Sequence, residues 1–175
     1  MNYATIKWTD IANGEGVRIS LFVSGCTHRC KNCFNQIAWD FSYGEVFDDA
    51  VANKILEGLE SPFIAGLSLL GGEPLEPQNQ QVLLPFIREV KRRFPEKNVW
   101  CYTGFVLDER KGLLREKRKN TSDTQELLSL FDVLVDGPYI ERQKDVRLKF
   151  RGSANQRVID VQQTLVKKEC VLYLE

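Results

Sequence analysis

The sequence predicts an α/β domain: an open partial (β/α) barrel of mostly parallel strands. Three observations lead there. Segments of strand and helix character alternate along the chain. The residues with distinctive chemistry fall just after the ends of the strand segments, where parallel α/β folds bind their ligands. The 175 residues are too few for a closed eight-stranded barrel, which usually takes about 250. An open side would admit a bulky substrate.

The elements follow in order. Val17 to Val23 (VRISLFV) is branched and apolar and reads as a buried strand ending at Ser24-Gly25, with a cysteine cluster in the loop behind it. Asp48 is placed to cap a helix running to about Glu60, with Val51, Ile55, Leu56 and Leu59 on one face. Gly66 to Leu70 is a short apolar strand ending in Gly71-Gly72-Glu73-Pro74. A helix from about Pro77 to Phe94 follows, with Pro85 inside it as an expected kink or fresh start. Asn98 to Tyr102 is a third strand, stopped by Thr103-Gly104. Residues 110–122 are strongly basic and poorly patterned, as in an exposed loop or short solvated helix. Ser122 with Gln125 resembles a capping box for a helix to Phe131. Val133 to Val135 is a fourth strand with Asp136-Gly137-Pro138 at its end, and Val158–Val161 and Cys170–Leu174 are further strand candidates.

Composition narrows the class. Hydrophobic residues make up 43% and charged residues 27%, which is globular rather than disordered. One domain over 1–175 is expected, with 162–175 as a C-terminal extension. The 24 basic and 24 acidic residues cancel, leaving no electrostatic case for a nucleic-acid partner. The N-terminus lacks a cationic segment followed by an apolar one, and no apolar run approaches the ~20 residues of a membrane helix. A cytoplasmic protein with no membrane partner is expected. In a reducing compartment, five cysteines point to metal or redox chemistry rather than disulfides.

Cys26-Thr-His-Arg-Cys30-Lys-Asn-Cys33 is the strongest signal. Thiolates hold iron–sulfur clusters, and a cubane normally takes four protein ligands. Three lie within one loop and no fourth cysteine follows at cluster-like spacing, so one iron is left open, the mark of a catalytic metal centre rather than a sealed one. Two other readings stand beside this. Zinc could take the three cysteines and His28, although one tight loop rarely supplies four tetrahedral ligands. An electron-transfer cluster could draw its fourth ligand from His28 or Cys101. His28 otherwise reads as a loop residue, and Cys101 and Cys170 as packing residues.

The triplet after one strand and Gly71-Gly72-Glu73-Pro74 after the next resemble the radical S-adenosylmethionine enzymes. Asn13-Gly-Glu-Gly-Val-Arg18, Leu21-Phe-Val-Ser-Gly-Cys26, Trp100-Cys-Tyr-Thr-Gly104, Asp132-Val-Leu-Val-Asp-Gly-Pro138 and Arg151-Gly-Ser-Ala-Asn-Gln156 narrow the resemblance. With them the chain is similar to the activating proteins of anaerobic (class III) ribonucleoside-triphosphate reductases over about Asn2 to Val161. The resemblance implies an oxidoreductase holding one [4Fe–4S] cluster on Cys26, Cys30 and Cys33, with S-adenosylmethionine chelating the open iron. Reductive cleavage would give a 5′-deoxyadenosyl radical that takes hydrogen from a glycine of the large reductase subunit. It further implies that the backbone of Gly71 and Gly72 meets the cofactor's amino group, with Glu73 supporting the turn. Asn32 and Phe34, flanking Cys33, would contact the adenosyl part. Many superfamily members carry an aromatic where this chain has Asn32, so Phe34 is expected to compensate. Thr103 and Asp136 each stand at an expected strand end facing the site, where they would either meet ribose, the cofactor carboxylate or the glycine loop or serve only as turn formers. Implied partners are the reductase and an electron donor such as reduced flavodoxin, with the chain working as a homodimer or in complex with the reductase. Activation of pyruvate formate-lyase, deazapurine synthesis and plain electron transfer are the alternative activities.

Overall fold

The computed structural model describes residues 1–174; Glu175, the end of the expected extension, lies outside the described residues. The strands are β1 (Asn2–Asp10), β2 (Val17–Val23), β3 (Glu45–Val46), β4 (Ile64–Gly71), β5 (Asn98–Tyr102), β6 (Leu107–Asp108), β7 (Leu113–Leu114), β8 (Val133–Asp136), β9 (Arg157–Asp160) and β10 (Leu172–Leu174). The helices are α1 (Asp49–Leu59), α2 (Pro77–Arg93), α3 (Thr124–Ser129) and α4 (Val161–Lys167). None is long and apolar enough to cross a membrane.

Eight strands form one sheet in the order β10-β9-β8-β5-β4-β2-β1-β3. The α/β class stands. The expectation of mostly parallel strands holds only at the centre, where β2, β4, β5 and β8 pair in parallel. Both flanks are antiparallel, β1 on β2 and β3, and β9 on β8 and β10. The cause is connection type. A parallel neighbour needs a crossover, which α1, α2 and α3 supply, whereas β1 returns to β2 through a short turn. No strand was expected before Val17, because in β1 only Tyr3 and Asp10 are buried, and a strand next to the sheet edge, paired on its outer side only by the two-residue β3, carries little hydrophobic pattern.

Alternation splits the residues of the central strands between two faces. Ile19, Leu21, Leu67, Leu69, Val99, Cys101, Leu134 and Ile159 join Ile55 and Leu59 of α1, Leu83 and Ile87 of α2 and Leu127 of α3 in one large core. Trp100, Val133, Val135 and Val158 form a smaller cluster on the other face, with Tyr102, Phe150 and Leu174 against it.

The three expected helices form, with corrections at their ends. Asp48 caps α1 by accepting the Val51 amide at 3.0 Å. Helix α2 runs on through Pro85. Pro85 and Gln81, whose carbonyl loses its amide partner, are both exposed, so the free group lies on the solvent side while Leu83, Leu84, Phe86 and Ile87 stay packed. The capping box on Ser122 is not formed: α3 starts after Asp123 without a side-chain cap, and Ser122 bonds the Asp123 carboxylate instead. Its entry is tied down by Thr121 and Thr124, which both donate to Gln80 of α2. Helix α4 went unforeseen, although its cap Asp160, accepting from Gln163 at 2.9 Å, was a legible signal. Residues 110–122 are a loop that carries β7, paired with β6 just before it, and a 3-10 turn over Lys117–Lys119.

Candidate functional site

The cysteine loop leaves β2 at the carboxyl end of the parallel strands. It is fastened by backbone bonds from Gly25 to the Ala38 carbonyl at 2.8 Å and from Cys26 to the Trp39 carbonyl at 3.2 Å. A turn closes within the loop, where the Cys33 amide donates to the Cys30 carbonyl at 3.1 Å. Arg29 and Asn32 sit at φ of 48° and 60°; asparagine takes that conformation readily, whereas an arginine there is strained. Cys26, Cys30 and Cys33 are free and half-buried. Burial pushes the Cys26 thiol up to about 11 and raises Cys30 as well. Loading with a thiophilic metal would therefore displace protons from thiols that are neutral in its absence.

Gly71 and Gly72 lie against this loop. Gly71 has φ +107°, and a Cβ on Gly72 would stand 2.7 Å from the Gly25 carbonyl oxygen. Only glycine lets the two backbones meet, and they bond there: Gly72 donates to Val23 at 2.7 Å and Glu73 to Gly25 at 2.8 Å. The glycines thus have a packing role in addition to the backbone access expected of them.

Glu73 is buried, and its carboxylate accepts four bonds. Leu75 N–H and the Thr103 hydroxyl donate to Oε1, and Gly104 N–H donates to Oε2, all at 2.8 Å; His28 Nε2 is 2.9 Å from Oε2. Glu73 therefore joins the ends of β4 and β5 to the cysteine loop, and all four bonds go to protein. Burial pulls the His28 pKa down, but the Glu73 bond and charge outweigh it and hold the imidazole above its ordinary value. The ring lies 4.2 Å from that of Phe105, and a Cβ on Gly104 would collide with it at 2.6 Å. His28 was expected to be an ordinary loop residue, and nothing local to it signalled this partnership.

A cavity of about 870 Å³ opens beside the loop, lined by the three cysteines and by Asn32, Phe34, Gly71, Gly72, Glu73 and Thr103. That is the upper part of the usual range for small-molecule sites. The structure thus gathers all but one of the expected site residues. The exception is Asp136, whose side chain alternates to the helix side with Leu134. There it accepts Arg157 Nε at 2.9 Å and the Leu107 amide at 2.8 Å, and it does not line the cavity. The outer wall comes from the 139–152 strap, with Tyr139, Lys144, Phe150 and Arg151, and from Tyr102 and Gln156. The weak patterning after Pro138 hid that wall.

The donor set suits a cubane. Among the described residues no three His, Cys, Asp or Glu side chains are grouped to hold a single metal ion. Ligands of a cubane bind separate irons and need not converge. His28 is engaged with Glu73, and Cys101 lies buried in the helix-side core, so the side chains proposed as a fourth ligand are already committed.

Comparison with known proteins agrees. A family model described as "4Fe-4S single cluster domain" matches residues 12–159. The chain is 48% identical to the anaerobic ribonucleoside-triphosphate reductase-activating protein of Haemophilus influenzae, covering 89% of this chain and 96% of that one. It is 39% identical to the Escherichia coli K12 protein of that name, over 90% and 97% of the two chains. The enterobacteria phage T4 counterpart is 37% identical over 90% and 93%.

Proposed function

The chain belongs to the family of anaerobic ribonucleoside-triphosphate reductase-activating proteins and carries a 4Fe-4S single cluster domain; from that premise we propose that it generates a glycyl radical on an anaerobic ribonucleoside-triphosphate reductase. Cys26, Cys30 and Cys33, which line the cavity, would hold the [4Fe–4S] cluster. When bound, the cluster supplies one low-potential electron that cleaves S-adenosylmethionine to methionine and a 5′-deoxyadenosyl radical. The chain's own residues bind, orient and shield. Gly71 and Gly72 offer backbone to the cofactor's amino group, Asn32 and Phe34 flank its adenosyl part, and Thr103 closes the end of β5. Glu73 acts through others, fixing His28, Thr103 and Gly104 in place. Asp136 is left out of the site because it serves Arg157. The cavity walls exclude water from a reactive radical.

The four central parallel strands are read as the open partial barrel of the radical S-adenosylmethionine type, and the whole chain as one domain. A reduced flavodoxin-like protein is the proposed donor, and the chain works as a homodimer or in complex with the reductase. The observation that carries this reading is the loop of three thiols, with no free fourth ligand among those proposed, opening into a cavity at the ends of the parallel strands. The test is anaerobic reconstitution with iron and sulfide, then S-adenosylmethionine, a reductant and the cognate reductase. We expect 5′-deoxyadenosine together with a glycyl-radical resonance on the reductase. Deoxyadenosine without that resonance would redirect the activity to another substrate, and no deoxyadenosine at all would end the reading.

A further inference from the structure

We infer that Lys119 and Glu76 form a charged strut that positions the cysteine loop and adds two opposite charges to the surroundings of its metal site; the inference rests on the cluster reading above. Three segments meet here: the loop after β2, the start of α2, and the turn after β7. Glu76, the N-cap residue of α2, makes no capping bond with its side chain. Its carboxylate turns to the loop instead: Oε1 accepts the Thr27 amide at 2.9 Å and the Thr27 hydroxyl as well. Lys119 arrives from 92 residues away in sequence and donates to Thr27 Oγ1 at 2.8 Å and to Glu76 Oε2 at 2.8 Å.

Both ends are built in. The Glu76 side chain is 3% exposed and that of Lys119 25%, and the Lys119 amine lies 5.5 Å from the centre of the Phe105 ring. The Lys119 carbonyl accepts from buried Gln80 at 2.9 Å, so the backbone carrying the lysine is also anchored to α2. Charges on a basic surface stretch would extend into water. This one is drawn into a shielded triangle whose third corner, Thr27, is bonded covalently to Cys26.

The consequence is chemical as well as mechanical. Thiolates and a reduced cluster gather negative charge, which a neighbouring cation stabilises and a neighbouring carboxylate opposes. The two ends of the strut therefore act on the potential in opposite senses, while both hold the loop. Groups behind the ligands commonly change metal affinity about 10- to 100-fold when removed.

The experiment uses the full chain reconstituted anaerobically with iron and sulfide. Lys119→Met and Glu76→Gln are compared with the wild type and with Lys117→Met, a neighbouring lysine outside the strut. Thr27→Val keeps the volume but removes the hydroxyl that joins the pair to the loop. Circular dichroism identifies folded variants. The readouts are iron loss to a chelator and the midpoint potential in a dye-mediated titration. We expect Lys119→Met, Glu76→Gln and Thr27→Val to lose iron about 10- to 100-fold faster and Lys117→Met to match the wild type. Lys119→Met should lower the potential and Glu76→Gln raise it. Wild-type loss rates in the folded strut variants, or shifts of both potentials in one direction, would overturn the inference. If the wild type itself takes up no cluster, the reading of the three cysteines fails first and takes the strut with it.

Discussion

The two faces of the central sheet are built from the same four strands and differ in almost everything else. On the helix side, Ile19, Leu21, Leu67, Leu69 and Leu134 are completely or almost completely buried against α1, α2 and α3. On the other side, β2 and β4 bury Arg18, Ser20 and Ser68. Arg18 makes five hydrogen bonds there, to Ser68 Oγ, the Asn98 side chain and the carbonyls of Glu15, Leu67 and Asn98, none of them to a carboxylate. Its guanidinium lies 5.4 Å from the Trp100 ring centre, and burial pulls its pKa down to about 10, which still leaves it charged at neutral pH. One face is a jigsaw whose stability comes from volume. The other is polar over β2 and β4 and apolar over β5 and β8, and its upper end opens into the cavity. Stability and chemistry are divided by the pleat.

Substitutions can break or sharpen that division. The largest effect belongs to the open side: Ala at any one of Cys26, Cys30 or Cys33 should abolish cluster uptake and turnover, read as loss of bound iron and of the brown absorbance. Cys101→Ser and Cys170→Ser should retain the cluster. Loss of the cluster in the Cys101 variant, with retention in a triplet variant, would reverse the ligand assignment. Next comes the helix side, where Leu134→Ala leaves a cavity and should cost about 2–5 kcal/mol in denaturant unfolding, with the remaining folded protein still taking up a full cluster. Arg18→Met should cost less, about 1–3 kcal/mol, because Asn98 and the Leu67 carbonyl lose buried partners; an unchanged midpoint would mean that the scaffold on this face is dispensable. The smallest stability effect is expected for Phe34→Ala, since the ring is 88% exposed: below about 0.5 kcal/mol. Its loss should appear as weaker S-adenosylmethionine binding by the reconstituted protein, measured from the spectral change on titration.

Legibility followed the range of the interactions. The strands β2, β4, β5 and β8 were readable because a strand buried on both faces is a nearly continuous apolar run; β1, at the flank, carries no such run. Asp48 was readable as a cap because its partner, Val51, lies within one helical turn. Ser122 was misread because Thr121 and Thr124 found a stronger partner in Gln80, 41 and 44 residues away. Asp136 was assigned to the site for standing at a strand end, but strict alternation in β8 had already sent it to the side of Leu134.

Alone, the sequence determined the cysteine loop and the strand ends that flank it, since three thiols within eight residues and a Gly-Gly turn are set by local spacing. Tertiary structure decided who holds that loop. His28 with Glu73 and Thr27 with Glu76 and Lys119 are joined across 45 to 92 residues. Such pairs form only where folding brings polar groups out of water together, and burial then requires each to be answered by a partner.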